Sequence, residues 1–322
     1  MVNLSRALFL FLPMATLTLA ADTPVSVQTF TYKTVGPLEI HLDVYGATGE
    51  VKKPVLVWIH GGALIGGLRD NLHKDQLALY LDAGFAVVSI DYRLAPETKL
   101  AEIIEDVRDA FRWVRTEGAA HFPIDPDRLA VVGHSAGGYL SLMTGFCIDP
   151  KPKAVVSFYG YGDLIGPWYS EPDPYYRSRP LVSREEAFAA VGSVETSGER
   201  LTADRFRFYL YCRQNGLWPE LVSGHDPRTE PGFFTPYCPL RNVSPSYPPT
   251  LLLHGDADTD VPWNQSALMA EEFRRQGVEH EFMTIPGGPH VFDHAGGGVK
   301  GNDSVKRVFE KVVSFLKANA SP

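Results

Sequence analysis

The chain has 322 residues, 44% of them hydrophobic and 21% charged, which is enough for one large domain with a substantial buried core. Its formal charge of −8, with lysine and arginine scattered along the chain, gives no electrostatic reason to expect nucleic acid or an anionic membrane surface as partner. A neutral or weakly polar small molecule is the partner this balance favours; oligomeric state is left open.

Met1–Ala20 carries Arg6, an apolar run interrupted by Pro13, and small residues at Thr18 and Ala20. This is the layout of a secretory signal peptide cut after Ala20, and it predicts a secreted or periplasmic protein with no stable membrane association after cleavage. An uncleaved anchor is the alternative, against which the short apolar segment counts. The three cysteines, Cys147, Cys212 and Cys238, are too few for a disulfide framework and none are spaced as metal ligands. In an oxidising compartment Cys212 and Cys238 can close a loop.

Leu38–Tyr45 alternates apolar and polar residues, as a half-buried antiparallel strand near a sheet edge does. Short continuous apolar runs follow at Val55–Ile59, Ala86–Ile90, Leu129–Val132, Ala154–Phe158 and Thr250–Leu253, with Glu281–Ile285 as another strand. These read as buried parallel strands. Between them, Ile103, Ile104, Val107, Phe111 and Val114 recur at helical spacing, and Val305 to Leu316 repeats the pattern at the end. The alternation predicts an α/β fold: a mostly parallel central sheet with helices on both faces, and ligands at the carboxyl ends of the strands.

From about 163 to 246 no clean strand appears, but aromatics and prolines are dense. Ser183 to Glu186 reads as a capping box opening a helix, and Asp204–Asn215 as a second helix stopped by Gly216. The segment reads as a cap inserted over the strand ends of a single domain spanning 21–322. A long loop packed on the side of the sheet is the alternative, and it leaves the pocket open.

Gly133-His134-Ser135-Ala136-Gly137 lies between a strand and a helix, the context in which G-x-S-x-G holds a serine hydroxyl out on a sharp turn. A serine needs a base to take its proton, and the base needs a carboxylate to steer it. Downstream, His254 to Pro262 offers Asp256, Asp258 and Asp260 behind a strand, and Pro286 to Phe292 offers His290 on a later loop. His290 is the expected base, His294 the solvated alternative, and His254 and His60 the residues that brace turns. A calcium loop is a further reading of the acidic run, but it lacks regularly spaced further ligands. His60-Gly61-Gly62-Ala63 follows the strand Val55–Ile59 and is placed to supply backbone N–H groups to a developing oxyanion, with a plain strand-to-helix turn as the alternative.

Taken together, His60-Gly61-Gly62, Asp91-Tyr92-Arg93-Leu94-Ala95-Pro96-Glu97 and Gly133-His134-Ser135-Ala136-Gly137-Gly138 make the chain resemble the α/β-hydrolase superfamily, in its hormone-sensitive-lipase-like or carboxylesterase branch, over nearly the whole mature length. The resemblance implies hydrolysis of a carboxylic ester through an acyl-enzyme, without a cofactor and without a metal. It implies Ser135, Asp258 and His290 as catalytic residues, with Asp258 chosen because Asp-x-x-Val-Pro is where the family places its acid, and Gly62, Ala63 and Ala136 as the oxyanion hole. The Asp91–Glu97 stretch is expected to brace the oxyanion loop. Ala63 departs from the third glycine usual in these esterases, and the insert lies later in the chain than their main cap, which leaves acyl preference open. A small acyl or aryl ester is favoured by the aromatic-rich insert. The rivals are amide cleavage, as by a peptidase or formamidase, and a non-catalytic binding protein on the same scaffold.

Overall fold

A computed structural model describes residues 26–198 and 203–320. The proposed signal segment at 1–20 lies outside the described residues. Among the described residues no helix is long and apolar enough to cross a membrane.

Among the described residues eight strands form one sheet: β1 (Val27–Val35), β2 (Leu38–Tyr45), β3 (Lys53–Ile59), β4 (Ala86–Ile90), β5 (Ile124–His134), β6 (Ala154–Phe158), β7 (Thr250–Gly255) and β8 (His280–Ile285). Their order across the sheet is β1-β2-β4-β3-β5-β6-β7-β8. β2 runs antiparallel to both its neighbours, and β3 to β8 pair parallel. The continuous apolar runs are therefore the central strands, buried on both faces.

The two-residue period of β3 shows how the faces are divided. Val55, Val57 and Ile59 enter one core, while Leu56 and Trp58 enter the other. The first face is covered by α1 (Leu100–Trp113), α2 (Ala136–Cys147) and the 163–246 segment, and the second by the terminal helix Asp303–Ala320. On α1, Ile103, Ile104, Val107 and Phe111 are buried at the spacing of one helix face.

Among the described residues the 163–246 segment is a set of short elements, of which α3 (Arg184–Ala189), α4 (Ala203–Asn215) and α5 (Trp218–Ser223) are the longest α-helices. Ser183 closes the expected capping box: its hydroxyl accepts from the Glu186 N–H at 3.1 Å, and the Glu186 carboxylate accepts from the Ser183 N–H at 2.8 Å.

The strand Leu38–Tyr45 lies near the sheet edge as expected, second from it because β1 covers it; β1 is largely exposed and has no continuous apolar run to announce it. Cys212 and Cys238 do not pair: all three cysteines are free thiols. Cys212 is sealed in α4 and Cys238 follows a separate turn, and burial pushes the Cys238 thiol up to about 11.

Candidate active site

The site begins at the end of β5, where the chain must turn from strand to helix within one residue. Ser135 sits at φ 56°, ψ −119°, a region that side chains rarely adopt. The turn is possible because its glycines allow contacts no Cβ would tolerate: a Cβ on Gly133 would lie 2.1 Å from the Gly137 carbonyl, and one on Gly137 2.1 Å from that of Ile59. The Ser135 N–H donates to the Phe158 carbonyl at 2.9 Å, locking the turn to β6. Ala136 opens α2, so its N–H has no acceptor within the helix.

The loops after β7 and β8 bring two further groups to this turn. His290 Nε2 lies 3.1 Å from Ser135 Oγ, and its Nδ1 donates to Asp258 Oδ2 at 2.7 Å. The Asp258 side chain is fully buried and held by its own turn, its Oδ1 accepting the N–H groups of Asp260 at 2.8 Å and Val261 at 2.9 Å. Burial pushes the Asp258 carboxyl up, but hydrogen bonds from His254 and His290 outweigh it and hold the group well below the usual carboxylate range. For His290, burial works against the charged form, yet the neighbouring charges of Asp260 and Asp258 prevail and raise its pKa.

The other two carboxylates of the acidic run have different partners. Asp256 Oδ1 accepts the Gly287 N–H at 2.6 Å, bracing the loop that carries His290. Asp260 Oδ1 accepts from the hydroxyls of Tyr176 at 2.8 Å and Tyr209 at 2.5 Å and from Arg213 at 2.7 Å. His254 spans its turn, with Nδ1 2.7 Å from Ser266 Oγ and Nε2 2.9 Å from the Val261 carbonyl. His294 is half exposed, 3.4 Å from Asp293.

Gly62 and Ala63 lie beside Ser135 and His290 in the wall of one cavity of about 440 Å³. The Gly62 carbonyl is engaged by the N–H groups of Ile65 and Gly66, both at 2.9 Å, while the N–H groups of Gly62 and Ala63 have no protein acceptor among the described residues. Gly62 has φ 115°, and a Cβ there would meet the Gly66 carbonyl at 2.1 Å. Ala63 holds φ 57° with a side chain, and its carbonyl accepts from Trp218 Nε1 at 3.0 Å.

The Asp91–Glu97 stretch packs behind this loop. Tyr92 stacks on His60 with ring centroids 4.1 Å apart and donates its hydroxyl to the His60 carbonyl at 3.0 Å. The Ala95 N–H donates to the Leu64 carbonyl at 2.7 Å. Arg205 of α4 reaches down to the carbonyls of Ile65 and Ala95 and to Glu97.

Sequence reasoning missed a second polar cluster under the cavity. Asp293 is buried; it accepts from Tyr159 Oη at 2.6 Å and Gln76 Nε2 at 2.8 Å and lies 3.3 Å from His134 Nε2. Burial pushes its carboxyl up, but the neighbouring His134 and His294 imidazoles and the Tyr159 hydroxyl hold it well below the usual carboxylate range. Its position three residues after His290 was the only local signal, because its partners lie far away in the chain.

Residues 42–178 match the BD-FAE family, and residues 211–322 match the prolyl oligopeptidase family. Among curated proteins, the non-reducing polyketide synthase ausA of Aspergillus calidoustus is 29% identical over 324 residues. The match takes in 84% of this chain and 13% of that protein, so the chain spans only a small part of the curated relatives' length. Among solved structures, a Staphylococcus aureus protein of unknown function superposes with a TM-score of 0.73 at 24% identity, covering 91% of this chain and 99% of the other. An esterase of Pyrobaculum calidifontis superposes with a TM-score of 0.66 at 23% identity, covering 92% and 86%. The sheet order and the strand-to-helix serine turn, with these matches, define an α/β-hydrolase fold. Within that fold the chain is similar to carboxylesterase-like proteins and, over its last third, to the prolyl oligopeptidase family.

Proposed function

We propose that the protein hydrolyses carboxylic esters, small acyl or aryl esters in particular, through an acyl-enzyme. The observation that carries this reading is the unbroken chain from Ser135 Oγ through His290 to Asp258, opening on a cavity of about 440 Å³. In this reading Ser135 attacks the ester carbonyl while His290 Nε2 takes its proton, and Asp258 holds the imidazole in the tautomer that leaves Nε2 free. The N–H groups of Gly62, Ala63 and Ala136 receive the negative charge on oxygen. His290 then returns the proton to the leaving alcohol, and water releases the acid by the same steps in reverse.

The 163–246 segment acts as a cap: Phe206 and Tyr209 of α4 line the cavity, and their rings suit a small apolar acyl or aryl group. The pattern of Met1–Ala20 supports export to a secreted or periplasmic location. N-terminal sequencing of the protein recovered outside the cytoplasm tests that, and an intact Met1 there contradicts cleavage.

The test of the enzymatic reading is labelling with a fluorophosphonate followed by peptide mass mapping. The expected adduct is on Ser135; labelling elsewhere, or none, contradicts the assignment. A second reading, amide hydrolysis on the same residues, is favoured by the prolyl oligopeptidase match over 211–322. Parallel turnover of an aryl acetate and the matching anilide separates the two.

A further inference from the structure

His290 faces carboxylates on both of its nitrogens. Asp258 takes Nδ1 at 2.7 Å, and Asp260, two residues along the same turn, places Oδ2 3.4 Å from Nε2, the nitrogen that lies 3.1 Å from Ser135 Oγ. Asp260 is not free to turn away, because its other oxygen is gripped by Tyr176, Tyr209 and Arg213. All three donors belong to the 163–246 segment, and Arg213 is itself buried and shared with Asp173 at 2.6 Å. One carboxylate oxygen therefore anchors the segment, while the other is presented to the imidazole edge and to the cavity.

We propose that Asp260 is a positioning residue for the base: it holds a negative charge beside His290 Nε2, steadies the imidazolium that forms when Ser135 gives up its proton, and links that charge to the seating of the 163–246 segment through Arg213. The inference rests on the proposed role of Ser135 and His290. The proton itself passes from Ser135 Oγ to His290 Nε2 and on to the leaving oxygen; Asp260 accepts no proton and forms no bond to substrate in this account.

The other groups facing His290 set the background. Asp258 and its neighbour His254 lie on the Nδ1 side, and Tyr159 packs its ring edge-on at 4.7 Å. Asp293 contributes a more distant negative charge from the base's own loop, with His134 and His294 beside it. Arg213 is the buried cation that offsets Asp260. Removing Asp260 and removing a donor to it must therefore move the base in opposite directions.

The test is the pH dependence of kcat/KM for p-nitrophenyl acetate, whose acid limb reports the base of the free enzyme. Asp260→Asn keeps an acceptor for the three donors and removes the charge. It is expected to shift the acid limb to lower pH by about half a unit or more and to lower plateau turnover by about tenfold, a loss of about 1.4 kcal/mol of transition-state stabilisation. Tyr209→Phe removes one donor, leaves the carboxylate less neutralised, and is expected to shift the limb upward. An acid limb that stays fixed in Asp260→Asn and in Asp260→Ser, with turnover lowered equally at every pH, overturns the proposal and leaves Asp260 as a structural latch. Fluorophosphonate labelling of Ser135 run on the same samples separates the cases: labelled protein with an unmoved limb removes the Asp260 role alone, whereas unlabelled wild type removes the Ser135 reading beneath it.

Discussion

Arg205 and Glu97 form a buried ion pair, Nη2 to Oε2 at 2.7 Å, with both side chains less than 5% exposed. The same guanidinium donates to the carbonyls of Ile65 and Ala95, so one residue of α4 ties the segment above the cavity to the loop that carries Gly62 and Ala63. Breaking such a pair from one side strands the other charge, which typically costs about 3–5 kcal/mol. Glu97→Gln is expected to lower stability to urea by about 3 kcal/mol and to lower turnover with it. Glu105→Gln, which breaks the exposed Glu105–Arg108 pair, is expected to stay within about 0.5 kcal/mol of wild type. Equal effects of the two substitutions would contradict the bracing role.

Asp258→Asn preserves shape but, with its amide oxygen held by the Asp260 and Val261 N–H groups, turns an NH2 donor toward His290 Nδ1 and so selects the other tautomer. Turnover of p-nitrophenyl butyrate is expected to fall about 10⁴-fold with an unchanged circular dichroism spectrum. Asp256→Asn, which alters only a brace of the base's loop, is expected to cost less than about tenfold. A larger loss in Asp256→Asn than in Asp258→Asn reverses the assignment of the acid.

Much of this was legible in the sequence, and the boundary between what was and what was not has a physical basis. Central strands such as Ala86–Ile90 and Ala154–Phe158 are buried on both faces, so their apolar runs alone define them. The turn at Ser135 was legible because one so tight leaves glycines at fixed offsets, and the chain order expected of serine, acid and base narrowed the candidates for the groups that the fold brings beside it. Choosing Asp258 over Asp256 and Asp260 needed the family pattern. β1 was not legible, since an exposed edge strand has no apolar run to mark it. Nor were the Asp293 cluster and the grip of Arg213 on Asp260, which join residues far apart in the chain by contacts that only the folded packing creates.

Asp293 also makes a prediction about acid stability. Its pKa is depressed in the folded state, so its contribution is present above the unfolded value of about 3.9 and is lost as the pH falls through and below that value. Asp293→Asn is therefore expected to be less stable than wild type at pH 7, with the gap narrowing as the pH falls below about 4. Urea midpoints at pH 7, 5 and 3 check this; a gap that widens toward pH 3 has the wrong sign for the account.

The most direct measurement is the turnover of p-nitrophenyl acetate and butyrate by the wild-type protein and by Ser135→Ala. Loss of at least about 10³-fold in the variant, with its fold intact, is the predicted result for removal of the nucleophile. Equal turnover in the two proteins would contradict the assignment of Ser135 and, with it, the roles given to His290 and Asp258.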